Sequence, residues 1–287
     1  MQAGQADRPP GEVDLHMHST ASDGSLAPSA VVDAARAAGL SAIALTDHDT
    51  LAGLQEAQLA ADPLGIRVVP GVELSAHDGA REIHLLALHV SKADNLESHL
   101  STFRDARETR AQNIVERLRH LGIDVELETV MAEAAGGAVG RPHVARALIR
   151  GGHVRDSREA FDRYLGAGRP GFIPKTRLEI REAIDLAHSA GAIAVWAHPG
   201  QDGRRERLEK FVQLGLDGVE VKHPSHMAED VKRLGALVDF FGLVPSGGSD
   251  WHGSTEGPRT IGCMHVSPAW LHQQDVLVAR RAAAEVA

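Results

Sequence analysis

The sequence predicts an α/β fold, an irregular barrel of mostly parallel strands that carries an all-helical insertion. Seven short aliphatic or β-branched runs recur along the chain, and segments of helical period separate several of them. A long central stretch has no strand pattern at all. With 287 residues, 43% of them apolar, the chain is long enough to bury a large core.

The seven runs are interpreted as strands because they are short, apolar and bounded by turn residues. They cover Val13 to Leu15, Ala42 to Leu45, Arg67 to Val69, Ile83 to Leu88, Ile193 to Trp196, Gly218 to Val221 and Leu243 to Pro245. Too few residues separate the third run from the fourth for a helical crossover, so a tight connection through His77 to Ala80 is expected there. The barrel should be irregular at that point.

Three Ala- and Leu-rich segments have helical period and end near a glycine, as helices commonly do. They are Pro28 to Ala38, Glu179 to Ala190 and Arg205 to Leu214. Strand, helix and strand in repetition predict parallel βαβ units. Residues 13–91 and 177–287 are therefore assigned to the barrel.

Residues 92–176 are predicted to form the helical insertion, which would cap the barrel on the substrate side. Its helical stretches are Leu96 to Leu121, Pro142 to Arg150 and Arg158 to Leu165. The Arg-rich first stretch is interpreted as a solvated face. Residues 1–12, which include Pro9 and Pro10, are expected to be a disordered tail.

Composition narrows the class of protein. The formal net charge of −9 argues against a broad surface for duplex DNA or an anionic membrane. The single cysteine, Cys263, excludes an intramolecular disulfide. The sequence has no apolar signal segment and no run of 18 apolar residues, so a cytoplasmic location is the expectation. No obligate protein partner is evident.

Histidines provide the first sign of metal chemistry. The chain has 17 of them against one tyrosine, and His16 and His18 follow the first strand directly. Alternate side chains of an extended segment share a face, so these two imidazoles can hold one ion. An H-x-H pair alone is equally compatible with two polar residues beside a loop.

Further His and acidic residues accompany five other predicted strands. They lie in the fragments Thr46-Asp47-His48-Asp49, Gly71-Val72-Glu73, Glu82-Ile83-His84, Ala197-His198-Pro199-Gly200 and Ser249-Asp250-Trp251-His252. Each is interpreted as the carboxyl end of a strand, and these ends meet at one rim of a parallel barrel. Chance placement at six of seven strands is improbable, so the pattern predicts one shared site.

Imidazole and carboxylate ligands without thiolate favour Mn, Fe, Zn or Ni. The candidate ligands exceed the needs of one ion, so two or three divalent ions are expected, with Glu73 or Asp250 bridging them about 3.5 to 4 Å apart. A bridging hydroxide would then be the nucleophile. Three such ions outweigh the charges of Asp23, Glu73 and Asp250, so the site should prefer an anion such as a phosphate ester.

At these residues the sequence resembles the PHP (polymerase and histidinol phosphatase) family of metal-dependent phosphoesterases. D-L-H-M-H-S with S-D-G, L-T-D-H-D, G-V-E-L-S, I-H-L-L, A-H-P-G, G-V-E-V and G-S-D-W-H occur in that order from Val13 onward. The resemblance implies a distorted (β/α)7 barrel with a trinuclear site. The ligands it implies are His16, His18, Asp23, His48, Glu73, His84, His198, Asp250 and His252.

Within the family, the helical segment resembles that of a bacterial subgroup acting on nucleoside 3′,5′-bisphosphates and on the 5′ ends of short oligoribonucleotides. The matching stretches run from Gly140 through Arg141, Pro142 and His143 to Arg146, and from Gly168 to Gly171. Arg141 and His143 are accordingly expected at the substrate, because a guanidinium can bind phosphate through two parallel hydrogen bonds. The alternative for Arg141 is a surface arginine at a helix start.

Arg204 and His226 resemble further substrate contacts on loops that follow strands. Arg204 would bind a phosphate, and His226 would protonate the leaving oxygen as general acid. A loop-capping role for His226 is an equal alternative. Trp251 either stacks on a base or, as such residues more often do, packs the rim. Asp47 and Asp49 flank His48 and are expected to orient ligand imidazoles.

The sequence thus predicts a phosphoesterase that cleaves the 3′ phosphoester of nucleoside 3′,5′-bisphosphates, of short 5′-phosphorylated RNA, or of both. One alternative is a phosphatase for a non-nucleotide metabolite such as histidinol phosphate or a sugar phosphate. Another is a non-catalytic module that partners a nucleic-acid enzyme. The complete ligand set argues against the last, since decayed sites show substituted ligands.

Overall fold

Seven strands in chain order form one sheet that curves into a nearly closed barrel. The computed structural model describes residues 11–134, 139–174 and 177–286. The strands are β1 Val13–Met17, β2 Ala42–Leu45, β3 Arg67–Asp78, β4 Arg81–Leu88, β5 Ile193–Trp196, β6 Gly218–Lys222 and β7 Val244–Gly247. All seven lie where the apolar runs predict them.

The sheet is parallel except around β4, which pairs antiparallel with both β3 and β5. β3 and β4 form a hairpin closed by Gly79, whose φ of 61° lies in the left-handed region that glycine adopts without strain. The tight connection predicted there is confirmed. Because β4 runs in reverse, its first residues lie at the rim where the parallel strands have their carboxyl ends.

β3 is much longer than the sequence predicts. The run Arg67 to Val69 pairs with β2, but the strand continues through Pro70 and Gly71 to Asp78, and this second half pairs with β4. Proline and glycine usually end a strand, so the prediction ended too early. The consequence is that Glu73 lies in the middle of β3 and not at its end.

The barrel closes between β7 and β1 through the segment that follows β7. The Asp250 N–H donates to the His16 carbonyl at 2.9 Å, and the His18 N–H donates to the Trp251 carbonyl at 2.9 Å. Residues 250 and 251 therefore continue the sheet beside β1, which brings the last predicted ligand motif against the first.

Helices lie around the strands of the barrel. They are α1 Pro28–Ala37, α2 Leu54–Ala61, α3 Ala93–His120, α4 Leu127–Ala134, α5 Arg141–Arg150, α6 Ser157–Ala160, α7 Ile180–Ser189, α8 Arg205–Gln213, α9 Ala228–Phe241 and α10 Pro268–Val286, with a π-helical turn at Phe161–Leu165. No helix among the described residues combines the length and the apolar character needed to cross a membrane.

The described residues between β4 and α7 contain helices and loops but no strand. Apolar side chains of α3, α4 and α5 form a buried cluster of their own, which includes Ile114, Leu118, Val130 and Leu148. The division into a barrel and an insertion at 92–176 stays a prediction. Of the predicted tail, only Gly11 and Glu12 lie within the described residues, and their carbonyls accept hydrogen bonds from Ser41.

Candidate metal centre

Glu73 lies at the centre of the histidine cluster, on β3, with only 1% of its surface exposed. Its Oε2 atom is 3.2 Å from His16 Nε2, from His18 Nε2 and from His48 Nδ1. His16 is the next-to-last residue of β1, His18 follows that strand, and His48 follows β2. One carboxylate oxygen therefore faces three imidazoles supplied by two neighbouring strands.

The other carboxylate oxygen of Glu73 faces imidazoles supplied by β4 and β5. Its Oε1 atom lies 2.8 Å from His84 Nδ1 and 3.0 Å from His198 Nε2. His198 follows β5, whereas His84 lies near the start of β4. The expectation that His84 follows the carboxyl end of a strand is wrong. The reversed direction of β4 nevertheless brings it to the shared rim.

Two further carboxylates complete the cluster. Asp250 Oδ1 lies 3.2 Å from His18 Nε2 and 3.5 Å from His16 Nε2. Asp23 Oδ1 lies 3.2 Å from His252 Nε2. The second oxygen of Asp250 pairs with Arg259, a residue that the sequence motifs did not indicate.

The structure brings together all nine side chains expected as ligands. Three groups place one donor atom of each member within 4.8 Å of the others. The groups are His18, Asp23, His48 and His252; His16, His18, Glu73 and Asp250; and His48, Glu73 and His84. His198 adjoins the third group through Glu73. That these residues bind metal, and how many ions they bind, stay predictions.

The donor atoms fit divalent cations. His16 Nε2, both ring nitrogens of His18, His48 Nδ1 and Glu73 Oε2 are buried and form no hydrogen bond within the described part of the protein. An unpaired buried polar atom costs about 1 to 3 kcal/mol. Cations bound among these atoms would give each of them a partner. In a cluster with only a structural role, such atoms would be expected to form hydrogen bonds instead.

The carboxylates set the protonation of the metal-free cluster. Burial alone would lower the pKa of His18, but Asp250 and Glu73 raise that pKa to about 10. Burial alone would raise the pKa of Glu73, but His48 and His84 hold it well below its usual range. Glu73 is therefore charged at neutral pH, and His18 beside it is protonated.

Glu220, on β6, is a residue of the site that the ligand assignment did not include. It is fully buried, its Oε1 lies 3.1 Å from His16 Nδ1, and its Oε2 accepts a hydrogen bond from the His198 backbone at 2.6 Å. A carboxylate behind an imidazole fixes the ring and strengthens it as a ligand. The motif G-V-E-V contains the signal, since charge within a buried strand needs a partner.

Two of the predicted ligands have backbone conformations that non-glycine residues rarely adopt. The φ angles are 31° for His198 and 50° for Asp250. Such conformations cost of order 1 to 3 kcal/mol and persist where the surroundings enforce them, commonly at functional sites. Hydrogen bonds to Glu220 and to His16 hold these two residues in place.

Asp47 and Asp49 bond to other groups near the cluster. Asp47 accepts hydrogen bonds from Ser19 and Ser22, and it thereby fixes the loop that carries Asp23. Asp49 accepts from the Ser75 backbone and pairs with Arg107. The hydrogen bonds of Asp47 do not support the expectation that it orients a ligand imidazole, and the same expectation for Asp49 stays a prediction.

Arg141 and His143 lie beside the cluster. Both line a cavity of about 180 Å³ whose wall also contains Asp23, His48 and His84. His143 is 1% exposed. Arg141 is half-buried and lies between the rings of Phe161 and Phe172, so the surface-arginine alternative does not describe it.

Arg204 lies elsewhere. It is exposed and lines a surface cleft together with Met227, Glu229 and Arg233. Its Nε atom donates to the Gln201 carbonyl at 3.3 Å. The structure does not bring Arg204 to the cavity beside the cluster, so it does not support a contact with substrate there.

His226 and Trp251 have structural roles in this geometry. His226 Nδ1 donates to the Val221 carbonyl at 2.9 Å, and Nε2 accepts from the Gly200 N–H at 3.1 Å. Neither nitrogen is available to protonate a leaving group, so the loop-capping alternative is the better supported. Trp251 is 3% exposed and packs in the apolar cluster of α1 and β2, which favours packing over base stacking.

Arg107 and Arg110 are site residues that the sequence did not reveal. Both belong to α3 and both line the cavity that contains Arg141. Arg110 is only 6% exposed. The interpretation of this Arg-rich helix as a solvated face is therefore wrong for the face that these two residues share.

Comparison with known proteins decides the family. The PHP domain model matches residues 14–173. The chain belongs to the PHP domain family. Its resemblance to that family, inferred from the motifs, is confirmed, and the protein is a metal-dependent phosphoesterase, an enzyme that hydrolyses phosphoric esters.

Two curated relatives of this PHP protein match most of its length. A Haemophilus influenzae protein named 5′-3′ exoribonuclease is 38% identical over 245 residues, which cover 83% of this chain and 89% of that protein. A Chromobacterium violaceum protein named 3′,5′-nucleoside bisphosphate phosphatase is 36% identical over 257 residues, which cover 87% of this chain and 90% of that protein.

Solved structures show the same architecture. The crystal structure of a protein from Bifidobacterium adolescentis, described as a metal-dependent phosphoesterase, superposes with a TM-score of 0.84 at 31% identity. The match covers 93% of this chain and 96% of that one. The α/β barrel fold predicted from the sequence is thereby confirmed.

Proposed function

We propose that this PHP enzyme hydrolyses the 3′ phosphoester of nucleoside 3′,5′-bisphosphates and of short oligoribonucleotides that carry a 5′ phosphate. The observation that carries the proposal is the position of Glu73, whose two oxygens face five imidazoles. A single carboxylate in that position suits the bridging of neighbouring cations. We propose two or three ions of Mn, Fe or Zn.

The charge of the site supports a phosphate ester as substrate. Asp23, Glu73 and Asp250 supply three negative charges against four to six positive charges from two or three divalent ions. Ions bound here would provide a nucleophilic hydroxide near neutral pH and would offset the charge of the phosphoryl oxygens. Glu73 and Asp250 would hold the cations, and Glu220 lies behind the imidazole of His16 and fixes it.

The two proposed substrates undergo the same reaction. Loss of the 3′ phosphate from a bisphosphate and release of the first nucleotide from 5′-phosphorylated RNA both break an ester at the 3′ oxygen. In both, the 5′ phosphate is a second anion at a fixed distance from the bond that breaks. Relatives named for each activity support keeping both substrates in the proposal.

The test measures product release by the Mn-supplemented protein from adenosine 3′,5′-bisphosphate and from a 5′-phosphorylated RNA oligomer. His198→Ala removes a predicted ligand and should reduce turnover of both substrates by more than a hundredfold. His120→Ala is the matched control, because His120 is an exposed histidine at the end of α3 that bonds only to the Glu116 carbonyl within the described residues.

The outcomes separate the alternatives. Turnover of either nucleotide that His198→Ala removes and His120→Ala retains supports the proposal. Turnover of histidinol phosphate or a sugar phosphate, with no turnover of either nucleotide, would assign the enzyme to a non-nucleotide metabolite instead. The expectations of a cytoplasmic location, and of no duplex DNA, membrane or obligate protein partner, stay predictions.

A further inference from the structure

Arg259 is the one arginine among the described residues that pairs with a predicted metal ligand. Its Nη1 atom donates to Asp250 Oδ2. The other two predicted carboxylate ligands have different partners: Glu73 faces five imidazoles, and Asp23 faces imidazoles and accepts from the Ser22 hydroxyl. A guanidinium beside a site for cations repels them. The position of Arg259 therefore needs a reason other than metal binding.

Asp250 presents its two oxygens to different groups. Oδ1 lies 3.2 Å from His18 Nε2 and 3.5 Å from His16 Nε2, on the side of the predicted ligands. Oδ2 contacts Arg259 and lies 3.3 Å from His223 Nε2. A single carboxylate group therefore separates the guanidinium of Arg259 from the donor atoms of the cluster.

His223 can hold Asp250 without help from Arg259. The Ser225 N–H donates to His223 Nδ1 at 3.1 Å, so the proton of the neutral ring is on Nε2, which faces Asp250 Oδ2. The His223 side chain is buried on the loop after β6. One donor therefore fixes Asp250 already, and Arg259 is available for another role.

Most of the hydrogen-bonding capacity of Arg259 is unused. A guanidinium has five N–H donors, and the bond to Asp250 is the only one that Arg259 forms within the described part of the chain. Its side chain is 41% exposed, and residues 254–258, which precede it on the loop after β7, are all exposed. Arg259 is thus a permanently charged group with open donors at the solvent edge of the cluster.

Hydrolysis of a phosphoric ester calls for such a group at the reacting phosphate. Negative charge on the non-bridging oxygens has to be stabilised as the ester bond breaks, and cations at the cluster would contact only some of these oxygens. A guanidinium binds phosphoryl oxygens well because its donors form a planar fork. Neither Arg259 nor Asp250 lines the cavity that contains Arg141, so this position differs from that cavity.

We propose that Arg259 is a catalytic residue that binds a non-bridging oxygen of the reacting phosphate beside Asp250. His223 keeps the carboxylate of Asp250 in place when the guanidinium bonds to the phosphoryl group. Arg259 transfers no proton; it donates hydrogen bonds while the attacking water oxygen bonds to phosphorus and the ester bond breaks. The inference depends on the phosphoesterase activity of the family and not on the nucleotide substrates proposed above.

The experiment uses p-nitrophenyl phosphate, whose single phosphate has to be the reacting one, with the Mn-supplemented protein. Arg259→Gln should reduce kcat by about a hundredfold to a thousandfold, the range for loss of one donor to the transition state. Arg259→Lys keeps the charge but loses the fork, so it should have an intermediate rate. If Arg259→Gln does not fold, Arg259→Lys gives the same comparison.

Two binding measurements do not depend on turnover. Removal of a positive charge beside Asp250 should leave Mn affinity unchanged or raise it by up to about fivefold, as for a partly exposed charge pair. The affinity of the Mn-supplemented protein for phenylphosphonate, a non-hydrolysable analogue with one phosphoryl group, should fall about tenfold or more in calorimetry. A merely structural role of Arg259 would instead weaken Mn binding together with turnover.

Arg67→Gln is the matched control. Arg67 pairs with Asp275 through two hydrogen bonds and has a similarly exposed side chain, at 48%. It begins β3, at the end of that strand away from the rim that carries the predicted ligands. This variant should match the wild type in rate, in Mn affinity and in phenylphosphonate affinity.

The outcomes are distinguishable. Weaker phenylphosphonate binding in Arg259→Gln, with Mn affinity maintained and Arg67→Gln unchanged, supports the role of Arg259. Phenylphosphonate affinity equal to that of the wild type, or a loss of Mn affinity that accounts for the slower rate, would overturn it. A wild type that hydrolyses p-nitrophenyl phosphate but neither nucleotide would overturn the proposed substrates and leave the role of Arg259 standing. If p-nitrophenyl phosphate is not hydrolysed, phenylphosphonate binding decides.

Discussion

Glu220 influences the cluster without facing the space that cations would occupy. Its carboxylate lies behind His16 Nδ1 and accepts the backbone N–H of His198. A buried carboxylate is costly unless it is paired, so its presence on β6 indicates that the imidazole orientation matters. Removal of the charge of Glu220 should therefore reduce metal affinity more than it reduces the stability of the fold.

We expect Glu220→Gln to weaken metal binding by about tenfold to a hundredfold, because a neutral amide orients the His16 ring less firmly and withdraws its negative charge. Chelator competition with Mn measures the affinity. Glu229→Gln, an exposed change at the start of α9, should leave it unaltered. Equal affinities for wild type and Glu220→Gln would show that Glu220 only fills space.

His143 should contribute a pH dependence to stability. Its folded-state pKa of about 4 lies below the ordinary value of 6.5, because burial and then Arg146 disfavour its charge. Between pH 6.5 and pH 4 the unfolded chain therefore binds a proton that the folded protein does not, and the folded state loses stability as the pH falls through this window.

His143→Gln should lose less stability than the wild type over the same pH range. Glutamine does not titrate, and its side-chain oxygen can accept the Gly140 N–H in place of the ring nitrogen. Urea unfolding at several pH values, with chelator present in both samples, gives the comparison. Parallel stability profiles for the two proteins would show that His143 titrates alike in the folded and unfolded states.

At the level of elements, the seam between β7 and β1 sets the position of the cluster. Gly248 follows β7 and passes so close to β1 that an added Cβ would lie 2.5 Å from both the Cβ and the backbone nitrogen of His16. Contacts under 3.0 Å force a neighbour to move, and here the neighbour is backbone. The ligand His16 and the barrel closure therefore depend on this glycine.

We predict that Gly248→Ala destabilises the protein by about 1 to 3 kcal/mol, the usual range for overpacking, and weakens metal binding by displacing His16. Gly235→Ala is the matched control, since a Cβ at that position in α9 would meet nothing within 4 Å. It should raise stability by about 0.5 to 1 kcal/mol through helix propensity. Unfolding in urea distinguishes the two. Equal stability of Gly248→Ala and wild type would show that β7 can move away from β1.

The sequence largely predicts the positions of the strands, but it does not predict which strands and helices contact one another. All seven strands could be located because buried strands form short apolar runs, and the reversal at β4 could be inferred because the interval before it is too short for a helix. The continuation of β3 past Pro70 could not, since the pairing of β4 overrides the local signal. Tertiary contacts decide which face of α3 packs on the barrel. The sequence alone therefore does not predict Arg107 and Arg110 as part of the site.

The whole molecule is organised around the rim of the barrel. Predicted ligands lie on or directly after β1, β2, β3, β4, β5 and β7, and Glu220 supplies the contact from β6. Cations bound at this rim would connect every strand. Buried imidazoles and carboxylates approach one another there at 2.8 to 3.2 Å, but several of their atoms form no hydrogen bond within the described residues. Metal binding should therefore stabilise the entire barrel.

We predict that Mn raises the thermal unfolding temperature of the wild type and that chelator reverses the increase. A ligand that binds only the folded state stabilises it by about 2.7 kcal/mol at a hundredfold excess over Kd. Glu73→Gln should abolish the effect, because it removes the charge that both sides of the cluster share. Glu206→Gln, an exposed carboxylate in the first turn of α8, should behave as the wild type. A Glu73→Gln variant that Mn still stabilises to the full extent would mean that the cations bind without Glu73, and its central position would then need another explanation.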